Sequence, residues 1–118
     1  MKRILIVDDS SFMRKRLRNT LEKAGYEVAG QAKDGHEGYT MFMDIKPDAV
    51  IMDVTMRGTD GIESASMILD SDPEAVIIFM SLVTDPDIHA KAEDLGKGFV
   101  GKNDHAGLLK LLDSNLQK

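Results

Sequence analysis

Five residues carry groups that could do chemistry together: Asp8, Asp9, Asp53, Ser81 and Lys102. Asp8-Asp9 closes the apolar run Ile4-Leu5-Ile6-Val7, and Asp53 closes Ala49-Val50-Ile51-Met52. Ser81 closes the run from Ala75 to Met80, and Lys102 follows Gly98-Phe99-Val100-Gly101. Three carboxylates brought together would repel and raise one another's pKa unless a cation neutralised them. Mg2+ suits such a set, because it takes oxygen ligands and commonly combines one or two carboxylates with water and phosphate oxygens. A carboxylate so placed can also act as a nucleophile toward a phosphoryl group. Lys102 would then supply positive charge, and Ser81 could donate a hydroxyl hydrogen bond to a phosphoryl oxygen. Taken singly, an Asp at a strand end is a turn former or helix cap, a Lys is solvated and a Ser is a cap. The grouping of all five is what argues for a site.

The elements that must position them follow from the apolar pattern. The three runs just named, with the weaker Tyr26-Glu27-Val28-Ala29-Gly30 and Gly98 to Gly101, give five short segments. Continuous apolar runs without alternation indicate strands buried on both faces, as in a parallel sheet. Between them lie helical patterns. Phe12, Met13, Leu17, Leu21 and Ala24 recur at near-helical spacing, and Gly25 stops that helix. Asp34 with Glu37 forms a capping box that opens a second helix, closed from beyond by Pro47. A third covers Ile62 to about Leu69. Asp85-Pro86 caps and starts a fourth that runs through Leu95, and a fifth covers Asp104 to about Leu116. Strand and helix alternate five times, which predicts an α/β doubly wound sheet with helices on both faces. Ligands of such sheets bind beyond the carboxyl ends of the strands, where the five polar residues fall.

Composition narrows the remaining classes. The 118 residues make one domain, spanning 1–118, large enough to bury roughly two-thirds of its unfolded surface. Fifteen Lys and Arg against 20 Asp and Glu give a net charge of −5, the reverse of what a phosphate-reading nucleic-acid binder carries. The absence of Cys excludes disulfides, thiolate metal sites and a Cys nucleophile. No apolar run approaches the ~20 residues that span a bilayer, and no signal-peptide pattern opens the chain, so a cytoplasmic location is expected. Arg14, Lys15, Arg16 and Arg18 make a basic patch on the first helix, either a solvated face or a docking surface. His36, His89 and His105 show no metal-ligand spacing and read as surface residues.

Across essentially its whole length the chain resembles a two-component response-regulator receiver domain of the single-domain, CheY-like chemotaxis type. The motifs are Ile4-Leu5-Ile6-Val7-Asp8-Asp9-Ser10 with Phe12-Met13-Arg14; Pro47-Asp48 leading to Ile51-Met52-Asp53; Asp60-Gly61; Ser81; and Lys102. The resemblance implies a five-stranded parallel sheet of order 2-1-3-4-5 with five helices, the flavodoxin-like arrangement. It implies that Asp53 is the phosphoacceptor, charged by a histidine kinase or phosphotransfer domain. It implies Mg2+ on Asp9, Asp53 and the backbone carbonyl of Thr55, with Asp8 acting through water, and Lys102 paired with the phosphoryl group. Ser81 would swing toward that group and Phe99, the switch aromatic, would move inward into the vacated space. Output would pass to a target protein through the fourth helix, fifth strand and fifth helix, from a monomer that is not a turnover enzyme and contacts neither nucleic acid nor membrane.

Departures from the family pattern give further expectations. Asn103 follows Lys102 where the family carries Pro, often cis. A cis bond to a non-Pro residue costs ~2.5–4 kcal/mol, so this loop is either trans or strained, and the aim of Lys102 stays open. Met56-Arg57-Gly58 stands where Met-Pro is usual, and Leu82 where a small residue is usual. Thr55 and Val83 offer no acid or amide to orient an attacking water, which predicts a long phosphoryl lifetime. Three alternatives remain: a receiver that binds partners without phosphorylation, a receiver cut from a longer transcriptional regulator, and a flavin carrier of the same topology. The last needs a Ser/Thr/Gly-rich phosphate loop after the first strand, and Asp8-Asp9-Ser10-Ser11-Phe12 opposes it.

Overall fold

A computed structural model of the chain describes residues 1–54, 61–81 and 86–116, the side chain of Ile88 excepted. The elements alternate as expected: β1 (Arg3–Val7), α1 (Ser11–Lys23), β2 (Glu27–Ala32), α2 (Gly35–Ile45), β3 (Ala49–Asp53), α3 (Gly61–Ser71), β4 (Ile77–Ser81), α4 (Pro86–Leu95), β5 (Gly98–Gly101) and α5 (His105–Leu116). The strands form one parallel sheet in the order β2-β1-β3-β4-β5. The direction in which the chain winds along the sheet reverses between β1 and β3, so the ends of those neighbouring parallel strands lie at the switch point of the sheet.

The apolar runs form the central strands because both faces of the sheet are covered. Leu5, Val7, Val50, Met52, Ile77 and Phe79 point to one side, against Phe42 of α2, Ala65 and Ile68 of α3, and Ala92 of α4. Their neighbours Ile4, Ile6, Ile51, Ile78 and Met80 point to the other, against Leu17 and Leu21 of α1 and Leu108 and Leu112 of α5. Each such side chain stabilises the fold by about 1.5–3 kcal/mol relative to exposure, which is why β1, β3 and β4 tolerate almost no polar residue before their last position.

The helix ends use the expected residues. Ser10 caps α1 by accepting from the Met13 N–H at 3.2 Å. Asp34 caps α2 by accepting from the Glu37 N–H at 2.8 Å, and the Glu37 carboxylate accepts from the Lys33 N–H at 3.1 Å. Gly25 turns the chain out of α1 with a φ of 90°. The capping role expected of Asp85 lies outside the described residues.

Three expectations need correction. Phe12 is not on the buried face of α1: it is 67% exposed, because it lies one helical step from the stripe that Met13, Leu17 and Leu21 bury. The second strand runs from Glu27 to Ala32, not Tyr26 to Gly30, and its pairing with β1 shifts register after Ile4. Tyr26 leaves the sheet and is buried with α1 and α5, its hydroxyl donating to Asp113. Nor are the histidines all surface residues, since His105 is half-buried with Nδ1 2.8 Å from the Thr20 hydroxyl and His89 stacks on Phe99.

Candidate functional site

Asp8 emerges where β1 stops. Its N–H still donates to the β2 carbonyl of Ala32 at 3.0 Å, so its backbone continues the ladder by one residue. Its carboxylate turns back to accept from the Ser10 N–H at 2.9 Å, an Asx turn that starts α1. Asp9 follows, exposed. Asp53 is the last residue of β3 and is 1% exposed. Lys102 follows β5, held by its N–H donating to the carbonyl of Ser81 at 3.0 Å, and is 5% exposed.

The structure brings these groups together. Carboxylate oxygens of Asp8, Asp9 and Asp53 all lie within 4.8 Å of one another. The Lys102 ammonium donates to Asp53 Oδ2 at 2.9 Å and stands 3.1 Å from Asp8 Oδ2. No peptide bond among the described residues is cis, so Asn103 follows Lys102 in trans, and the ammonium reaches its target without the family's Pro. Ser81, buried at the end of β4, shares the same strand edge.

Burial pushes the Asp8 carboxyl above its ordinary range, and the charge of Asp53 adds to this; the Ser10 N–H and Lys102 oppose it without cancelling it. Burial alone would lower the Lys102 ammonium, but the hydrogen bond and charge of Asp53, then Asp8, outweigh it and hold the group protonated above its usual value. Among the described residues, three carboxylates against the Lys102 ammonium leave two formal negative charges in excess. All-oxygen donors, convergent and carrying that excess, fit a hard divalent cation.

Two further features frame the site. Gly61 opens α3 pressed against β3: a Cβ at this position would lie 2.2 Å from the backbone oxygen of Asp53. Phe99, half-buried on β5, is stacked by His89 of α4 with ring centroids 4.2 Å apart at 28°, and His89 Nε2 lies 3.1 Å from the Glu93 carboxylate. The His89 contact was invisible as sequence pattern because it joins residues of two elements. Thr55, Arg57, Asp60, Leu82 and Val83 lie outside the described residues. The cavity lined by Phe42, Met43, Lys46, Pro47, Ser71 and Asp72, half apolar and half polar, opens at the opposite end of the strands and takes no part.

A doubly wound sheet with paired acids after β1, an acid ending β3, a hydroxyl ending β4 and an ammonium after β5 defines the receiver class. The response regulator receiver domain model matches residues 4–113, and the chain belongs to that family. The chemotaxis protein CheY of Thermotoga maritima is 54% identical over 55 residues, covering 47% of this chain and 46% of that protein. The chain spans about half the length of the curated relatives it matches. Among solved structures, a LuxR-family two-component response regulator from Aurantimonas sp. SI85-9A1 superposes with a TM-score of 0.92 at 32% identity, covering 99% of this chain and 86% of that one. A CheX–CheY–BeF3–Mg2+ complex from Borrelia burgdorferi superposes at 0.91 and 30% identity, covering 99% and 90%. Among the described residues no helix is long and apolar enough to cross a membrane.

Proposed function

We propose that the protein is a phosphorylation-activated signalling switch of a chemotaxis-type phosphorelay, with Asp53 as phosphoacceptor. The observation that carries this reading is the Lys102 ammonium bridging Asp53 and Asp8 at the sheet's switch point, with Asp9 beside them. An Asp53 carboxylate oxygen attacks the phosphorus of a phosphohistidine. The P–N bond breaks in line, the imidazole leaves with its electron pair, and an acyl phosphate forms on Asp53. Lys102 meets the charge on the equatorial oxygens, and Ser81 offers a hydroxyl to the same group. Asp8, Asp9, Asp53 and the Thr55 carbonyl would hold Mg2+, which when bound neutralises phosphoryl oxygens.

Several facts support the finer parts. The Borrelia neighbour was crystallised with Mg2+ and BeF3, a phosphoryl mimic, and curated relatives of this chain are chemotaxis proteins. Lys15, Arg16 and Arg18 are exposed on α1, the helix that starts just after Asp8-Asp9, and would suit an acidic face of a histidine kinase or phosphotransfer domain. Phe99 lies on the α4–β5–α5 face, where its inward movement would change the surface a target protein reads. The chain takes one phosphoryl group per molecule and serves as a modified switch and not as a turnover enzyme. Phosphotransfer from a chemotaxis kinase to wild type and to Asp53→Asn tests this. Labelling of wild type alone is expected; equal labelling of both overturns the assignment of Asp53. The alternative of a phosphorylation-independent binding module gains nothing from Asn103, since Lys102 reaches Asp53 without the Pro.

A further inference from the structure

Arg14 belongs to the basic patch of α1, yet its side chain does not join the exposed Lys15, Arg16 and Arg18. It is half-buried and folds back, and Nη1 donates to the backbone carbonyl of Asp8 at 2.7 Å. Its own N–H donates to the carbonyl of Ser10 at 3.0 Å. One residue therefore ties down both ends of the segment Asp8-Asp9-Ser10.

The consequence lies in the peptide between Asp8 and Asp9. The Asp8 carbonyl, the Asp9 N–H and the Asp9 Cα share one rigid plane, so fixing that oxygen places the Asp9 Cα, and the Ser10 N–H, held by the Asp8 carboxylate on the far side, limits the rotation that aims the Asp9 Cβ. Asp8 itself is secured elsewhere, by Ala32, Ser10 and Lys102. Asp9 is not: its carboxylate is exposed, and no described residue holds it by a hydrogen bond. Among the described residues no side chain fixes its place within 4.8 Å of Asp8 and Asp53, which leaves the backbone to aim it. The geometry points to Arg14 as the positioning residue of the cation site, acting through the Asp8–Asp9 peptide to aim Asp9 at Asp53. This inference rests on the Mg2+ reading above.

Its test turns on sign. If Arg14 acted only as a nearby charge, its removal would strengthen cation binding, because less positive charge would face the ion. A positioning residue predicts the reverse. Mg2+ alone is titrated into 15N-labelled protein and its affinity read from backbone amide shifts, with Arg14→Ala, Arg14→Lys and Arg18→Ala beside wild type. Arg14→Ala is expected to weaken Mg2+ binding by roughly tenfold or more, as losses of supporting contacts at metal sites do. Arg14→Lys, which keeps a donor, recovers part of that loss, and Arg18→Ala leaves the affinity at or slightly above wild type. In metal-free protein the Asp9 amide shifts in Arg14→Ala and not in Arg18→Ala. Should Arg14→Ala not fold, Arg14→Met keeps the packed stem and carries the comparison. An Arg14 variant that binds Mg2+ as tightly as wild type, or more tightly, overturns the inference. A wild type that binds no Mg2+ overturns the cation reading itself, and that result appears before any variant is compared.

Discussion

At the scale of the residue, the site is a problem in charge. Asp8 is buried next to Asp53 and is held above its ordinary carboxylate value mainly by desolvation. A carboxyl raised in the folded state binds its proton more tightly there than in the unfolded chain. Stability from this group is present below the unfolded value near 3.8 and is lost as pH rises through the raised folded value. Asp8→Asn removes that titration. Without Mg2+ the variant is expected to melt above wild type at neutral pH, and the gap is expected to close as pH falls through the acid range where Asp8 protonates. Mg2+ should narrow or reverse the gap by supplying the charge the carboxylates lack. Thermal melts of both proteins across pH, with and without Mg2+, check this; a gap independent of pH contradicts it. Lys102 behaves oppositely in range, its raised value keeping it charged well into the alkaline region.

At the scale of the element, the sheet edge delivers these residues and the helix starts hold them. Gly61 shows how close the fit is, since even a methyl group there meets the Asp53 carbonyl at 2.2 Å. Gly61→Ala is expected to push α3 away from β3, costing about 1–3 kcal/mol in urea unfolding and weakening Mg2+ binding by displacing Asp53. An unchanged midpoint would show that α3 yields freely. Much of this scale was legible in the sequence. Continuous apolar runs ending in Asp8, Asp53 and Ser81 identify central parallel strands and place those groups at one edge, because only strands buried on both faces read that way. The second strand was less legible: it sits at the sheet edge, is mostly half-buried and changes register beside β1, so its apolar signal is weak. Phe12 falls off the buried face of α1, and a near-helical pattern does not distinguish the buried stripe from the next step around the helix. The Arg14 clamp and the His89–Phe99 stack depend on side-chain direction and contact across space, which spacing along a chain does not encode.

At the scale of the whole molecule, the net charge of −5 has a partial location. Three of the 20 acids converge on one edge, Asp8 and Asp53 buried and Asp9 exposed, answered among the described residues by the ammonium of Lys102. On the proposed function, phosphorylation would add further negative charge to that edge, so Lys102, Ser81 and a cation would have to absorb it, and the stack on Phe99 would have to yield for a signal to reach the α4–β5–α5 face. How long the state lasts depends on water. Thr55 and Val83 carry no acid or amide, and the phosphorylated protein is expected to decay slowly compared with receivers that carry such groups at those positions; rapid loss of the label in purified protein would contradict this. The measurement that bears most directly on the central claim is intact mass after incubation with acetyl phosphate, with and without Mg2+, for wild type and Asp53→Asn. Wild type should gain the mass of one phosphoryl group only when Mg2+ is present, and Asp53→Asn should gain none. Equal modification of both proteins, or no modification of wild type with Mg2+ present, would contradict the account.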